Sequence, residues 1–334
     1  MRKLSRYCLF ALLTVTVVAL LTEAILGIVF SFKDRHLEPM AVHDYPYLYF
    51  MFDSTGGLNA HGFKTNYPLK KQFGKFRIIL TGGSVARGKL PEESIARYLE
   101  QELNTRFQTG KIEVINAGVS AFVAEQEFIL TQLILRHYEP NMILSLDGYN
   151  DLMTFKINRQ YPSGFELPPH NWQDFRVIAD NRMRQRPFSR LPLFFRNISR
   201  AVRYLQRQQF ENNFRWQTLT DDKLRPISER YWQIIGDTYD FCRAKKIGYY
   251  NFLQPVRFYG VNDTTSQLKT LSRLYNLIEA GIHEKPYAFS LTAIFKDMPE
   301  IFTDDCHVTA EGNRIIAQQM AERISNDVQA WLEN

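Results

Sequence analysis

Residues 77–91 read RIILTGGSVARGKLP. A β-branched apolar run ends in two glycines, a serine and a helix start, and that arrangement serves either of two chemistries. Such a turn cradles phosphate on backbone N–H groups, or it presents Ser84 as a nucleophile at the end of a strand. Gly83 to Lys89 fits G-x-x-x-x-G-K, but a phosphate loop of that type needs Ser or Thr next to hold Mg²⁺. This chain has Leu90 followed by Pro91. The rest of the chain decides between the two readings.

Outward from that turn, strands and helices alternate. Phe76 to Thr81, Ile112 to Asn116, Met142 to Leu146 and Gly248 to Leu253 read as buried strands. Glu92 to Phe107, Ala124 to His137, Tyr231 to Lys245, Gln267 to Ala280 and Ala310 to Trp331 read as helices. This order predicts a three-layer α/β/α fold, a flavodoxin-like and mostly parallel sheet covered on both faces, with a helical insertion over 154–226. Residues 37–75, rich in aromatics and turn formers, read as an irregular arm on the domain 76–334. In such a sheet, chemistry belongs at the carboxyl ends of the strands.

The polar residues gather at those ends: Gly82-Gly83-Ser84 after the first strand, Asn116-Ala117-Gly118 after the second, and Gly148-Tyr149-Asn150-Asp151 after the third. Asp304-Asp305-Cys306-His307 comes just before the last helix. In this order and at these intervals the four blocks resemble those of the SGNH (GDSL-type) hydrolase superfamily, and the resemblance spans about residues 76–330. It implies a serine esterase or acyl hydrolase with Ser84 as nucleophile. It also implies an oxyanion hole made by the Ser84 and Gly118 backbone N–H groups and the Asn150 side-chain amide. The namesake block of the superfamily has Asp before the serine where this chain has Gly83. That departure bears on loop support and substrate class, and two glycines before the serine look like a branch of the superfamily.

The residue types suit acyl transfer. A serine nucleophile needs a base within hydrogen-bond reach and a third group that fixes the base's tautomer. His307 fits the first role and Asp304 the second, because a D-x-x-H turn brings both side chains to one edge. Asp305 is the weaker orienter, since an adjacent side chain points away. His36, His43, His61, His137, His170 and His283 have no partner pattern and read as surface or structural. No cofactor or metal is expected. Cys8, Cys242 and Cys306 contain no C-x-x-C, which excludes a disulfide framework, and Cys242 and Cys306 are expected at opposite edges and unbridged.

The N-terminus predicts a membrane segment. Tyr7 to Phe32 carries Glu23 as its single charge and follows Arg2, Lys3 and Arg6, and a spanning helix needs about 20 such residues. Thr22-Glu23-Ala24 is a poor cleavage site, so residues 1–36 read as an uncleaved signal anchor. The basic start places the N-terminus in the cytoplasm and the folded part in the periplasm or outside the cell.

The insertion adds a second basic feature. Residues 181–215 hold nine arginines, no lysine and one acid, Glu211. On a helix, Arg196, Arg200, Arg203 and Arg207 form one stripe, with Phe195, Ile198, Val202 and Leu205 on the opposite face. The stripe fits a solvated face, anionic lipid headgroups or an acidic glycan. Net charge is only +6 with no zinc-finger or RNP-type signature, so nucleic acid is not an expected partner. The expected substrate is an acylated small molecule, lipid or glycan. Three functions remain open at this point: ester hydrolysis such as O-deacetylation of an envelope glycan, O-acyl transfer to exported polysaccharide, and a non-catalytic envelope assembly role.

Overall fold

The structure, a computed structural model, describes residues 2–34, 42–45, 48–52, 58–151, 201–202, 205, 221–259 and 266–333. These form two compact units. One holds helix α1 (Arg2–Asp34) with residues 201, 202 and 205. Within α1, Phe10–Val29 has a mean hydropathy of 2.4, is long and apolar enough to cross a membrane, and is not buried. Val202 and Leu205, on the apolar face expected of the insertion helix, are exposed. The four arginines of the stripe lie outside the described residues.

The second unit contains the sheet. Strands β3 (Phe76–Gly82), β4 (Ile112–Asn116), β5 (Met142–Asp147), β6 (Gly248–Leu253) and β7 (Ala288–Ser290) are all parallel, in the order β4-β3-β5-β6-β7. That is the doubly wound, flavodoxin-like order, with its crossover between β3, β4 and β5. Every residue of β3, β4 and β5 is buried, as a parallel sheet covered on both faces requires. Helices α3 (Ile95–Arg106) and α7 (Ala310–Leu332) pack together, and α5 (Asp221–Ala244) packs with α4 (Ala124–Leu133) and α6 (Ser266–Ala280). Strand β7 has only three residues, too few to show a period.

Two helix boundaries differ from expectation for visible reasons. Pro91 opens a 3-10 turn at Pro91–Glu93, and Ser94 then caps α3 by accepting the Arg97 N–H. Helix α4 stops at Leu133, and after a 3-10 turn at Leu135–Tyr138 the chain turns left-handed at Glu139 before Pro140. The arm is not wholly irregular. It contains an antiparallel hairpin of β1 (Val42–Tyr45) and β2 (Tyr49–Phe52), because this aromatic stretch has strong strand formers on both sides of the turn.

A buried arginine fastens the arm to the sheet. Arg77, on β3, is fully buried. Its Nε and Nη2 donate to Glu113 Oε2 on β4 at 3.1 and 2.9 Å. Its Nη1 donates to the carbonyls of Pro68 (2.9 Å), Leu69 (3.0 Å) and Tyr138 (2.8 Å). A buried guanidinium is tolerable only when its donors are met in this way. Asn59 and His61 add hydrogen bonds to Tyr138 Oη at 2.8 and 2.6 Å.

Candidate active site

The first residue of the short helix α2 (Ser84–Arg87) is the serine itself. Its N–H sits at a helix start, where a backbone donor has no acceptor within the helix. The last block forms a tight loop. Phe302 bridges to Val308, the Thr303 N–H donates to the His307 carbonyl (2.9 Å), and Thr309 caps α7 through the Gly312 N–H. Asp305 accepts the Arg257 N–H through its carbonyl, which ties this loop to the end of β6.

Within the loop the two oxygens of Asp304 divide the work. Oδ1 accepts the backbone N–H groups of Cys306 (3.0 Å) and His307 (2.8 Å), and Oδ2 lies 2.7 Å from His307 Nδ1. His307 Nε2 lies 2.7 Å from Ser84 Oγ, across 223 residues of sequence. Burial raises the Asp304 pKa, but the hydrogen bonds from the backbone of His307 and Cys306 and from the imidazole outweigh it and hold the carboxyl below its ordinary value. An ionised carboxylate only accepts, so Nδ1 carries the hydrogen and Nε2 is left to accept from the serine hydroxyl. The Cys306 thiol, buried beside Nδ1 at 3.7 Å, is pushed up by burial and by Asp304 and Asp305.

Asn150 and Gly83 meet at the same edge. The Asn150 Nδ2 donates to the Phe122 carbonyl at 2.8 Å. A Cβ on Gly83 would come within 2.2 Å of that Nδ2, so the position before the serine is kept empty for the Asn150 amide. Asp151 holds the next segment of the same loop by accepting the Ala124 N–H at 3.0 Å. Neighbouring residues of the third block thus fasten residues 122 and 124 together.

Gly118 packs against the backbone of α2, the helix that Ser84 begins. Its N–H donates to Asn116 Oδ1 at 3.0 Å. A Cβ there would lie 2.4 Å from the Arg87 N and 2.8 Å from the Ala86 carbonyl carbon. Glycine is required at 118 by the close passage of α2. The backbone of the same loop turns left-handed three residues later, at Ala121 (φ 71°).

Below this edge lies an acidic group that the sequence did not single out as a unit: buried Asp147 at the end of β5, buried Glu127 on α4, and half-buried Asp151. Asp147 Oδ2 accepts from Asn251 Nδ2 (3.2 Å), which also donates to Ser145 Oγ (2.9 Å), and Tyr231 Oη donates to Asn251 Oδ1 (3.1 Å). Burial raises all three carboxyls, and that of Asp151, also facing the charge of Asp147, reaches about 8. In the unfolded chain an aspartate titrates near about 3.9. Between these values the unfolded state loses a proton that the folded state keeps, so stability is full at acid pH and falls as pH rises toward 8. Asp151→Asn is expected to flatten that fall while Glu127 and Asp147 keep part of it. Thermal melts of both proteins from pH 5 to 8.5 check this, and parallel curves would exclude it.

No protein-family model matches the chain, and no curated protein matches it in sequence. Solved structures are similar to it in fold. A catalytic mutant of an acetylxylan esterase from Geobacillus stearothermophilus is 12% identical, with 76% of this chain and 96% of that chain covered and a TM-score of 0.43. A GDSL-like lipase from Bacteroides thetaiotaomicron VPI-5482 is 12% identical, with 75% and 88% covered and a TM-score of 0.38. An acetyl xylan esterase, AlAXEase, is 14% identical, with 75% and 100% covered and a TM-score of 0.42. In this chain the strand order is the doubly wound, flavodoxin-like one, and three of the four blocks stand at the ends of its strands with the fourth before the last helix.

Proposed function

We propose that the protein is a serine hydrolase that cleaves ester-linked acyl groups, with an acetylated glycan of the cell envelope as the substrate that fits best. The observation that carries this reading is the unbroken line of 2.7 Å contacts from Ser84 Oγ to His307 Nε2 and from His307 Nδ1 to Asp304 Oδ2. In the proposed reaction His307 Nε2 takes the hydroxyl proton as Ser84 Oγ attacks the ester carbonyl. Asp304 holds the resulting imidazolium. The Ser84 N–H and the Asn150 amide stabilise the oxyanion. His307 then protonates the leaving alcohol, and water releases the acyl group by the same steps in reverse.

His307 and Asp304 are 40% and 56% exposed. Solvent therefore reaches the base that would activate water as the second nucleophile, as hydrolysis requires. Helix α1 supplies the membrane part of the reading, with the N-terminus cytoplasmic and the hydrolase unit on the outer side. A test is labelling of the full-length protein by a serine-directed fluorophosphonate, followed by turnover of a short-chain aryl ester with product analysis. Labelling at Ser84 and release of free acid are expected. Acyl transfer to an added glycan in place of free acid would favour the transferase, and an unlabelled, inert protein would leave only the assembly role.

A further inference from the structure

Cys306 lies beside the proposed triad without belonging to it. From its Sγ, from His307 Nδ1 and from Asp304 Oδ2 we infer that this loop is a binding site for a thiophilic divalent cation, with Zn²⁺ the natural occupant, and that the ion switches the serine off reversibly. The switching rests on the proposed hydrolase function, whereas the binding does not.

The donor atoms of Asp304, Cys306 and His307 all lie within 4.8 Å of one another. Zinc bound tetrahedrally, with Zn–S about 2.3 Å and Zn–N about 2.0 Å, sets the sulfur and nitrogen about 3.5 Å apart. The observed Sγ to Nδ1 separation is 3.7 Å, so these two ligands need almost no rearrangement. An oxygen ligand belongs about 3.3 Å from the nitrogen, whereas Oδ2 now sits at 2.7 Å. A swing of roughly 0.6 Å suffices, and Asp304 is 56% exposed on its side chain. Oδ1 keeps the loop in shape meanwhile, through the N–H groups of Cys306 and His307. Water completes the fourth position. One thiolate, one imidazole and one carboxylate suit zinc or cadmium and not magnesium or calcium, which take oxygen ligands. The two ligand charges also balance the dication.

The inhibition follows from proton bookkeeping. At rest Nδ1 holds the hydrogen and Nε2 accepts from Ser84. A cation takes the Nδ1 lone pair, so that hydrogen moves to Nε2, and the nitrogen facing the serine becomes a donor that cannot remove the hydroxyl proton. The Cys306 thiol gives its proton to solvent as it becomes the thiolate ligand. The net release is a single proton per ion bound.

The test uses the full-length protein with Cd²⁺ as the spectroscopic probe and Zn²⁺ as the inhibitor. The parent is expected to show a thiolate-to-cadmium charge-transfer band, to release a proton on binding, and to lose aryl-ester turnover in Zn²⁺ that a chelator restores. Cys306→Ser and Cys306→Ala should keep turnover, lose the band, and resist Zn²⁺ at concentrations that silence the parent. Asp304→Asn should weaken the band by a route that leaves the thiol in place, which covers the case in which a Cys306 variant fails to fold. A band that survives in Cys306→Ala overturns the site, as does equal Zn²⁺ inhibition of that variant. A Cys306-dependent band in a protein without esterase activity upholds the site and overturns the proposed function instead.

Discussion

Ser84→Ala and His307→Ala are each expected to lower kcat by about 10⁶-fold, and the double variant to fall no further. The two act as one unit, so removing either removes covalent catalysis entirely. What survives is the contribution of binding and oxyanion stabilisation, which leaves about 10³- to 10⁴-fold over water. Both side chains stand at the open edge of the sheet, and His307 is 40% exposed, so melting temperatures should stay near that of the parent. Burst and steady-state kinetics with an aryl acetate measure the effect. Parent-like turnover in Ser84→Ala would sink the triad.

Gly83→Asp, the change that introduces the residue the SGNH superfamily has before its serine, is expected to lower the proposed esterase activity. The first atom of any side chain at 83 falls 2.2 Å from Asn150 Nδ2, so the Asn150 amide must leave its place and its hydrogen bond to the Phe122 carbonyl. The loss should match that of Asn150→Ala, about 10² to 10³ in kcat, the usual cost of one oxyanion donor. In the Asn150→Ala background the Gly83→Asp change should then cost far less, since the amide it displaces is gone. The four kcat values of this cycle measure the coupling. Independent, additive losses would show that Gly83 and Asn150 act separately.

The parts of the site legible in the sequence were those where chemistry demands a residue type. A nucleophile, a base and a carboxylate had to be Ser84, His307 and Asp304 or their like, and alternating strands placed them on one edge. The structure brings these three within hydrogen-bond distance of one another. Gly118 illustrates the opposite case. A backbone N–H has no side-chain signature, and the absent Cβ of this glycine makes room for the Arg87 backbone. Its N–H donates to the side-chain oxygen of Asn116, a residue of the same block whose side chain could equally have faced outward. Ala121 carried no signal at all, because nothing in an alanine announces a left-handed backbone. The buried carboxyls escaped notice for a similar reason: Glu127 sits in an ordinary helical pattern, and only the packing of α4 against β3 turns it inward beside Asp147.

Arg77 marks where this folding unit begins. A chain cut at the first sheet strand would keep the guanidinium and lose the Pro68 and Leu69 carbonyls that accept from it. A cation would then lie against the apolar floor of the sheet with part of its solvation missing, opposite a single carboxylate. Residues 68 and 69, before the first sheet strand, therefore belong to the folding unit. This segment is a wall of the core, and the buried guanidinium has all its acceptors only when Pro68 and Leu69 lie against it.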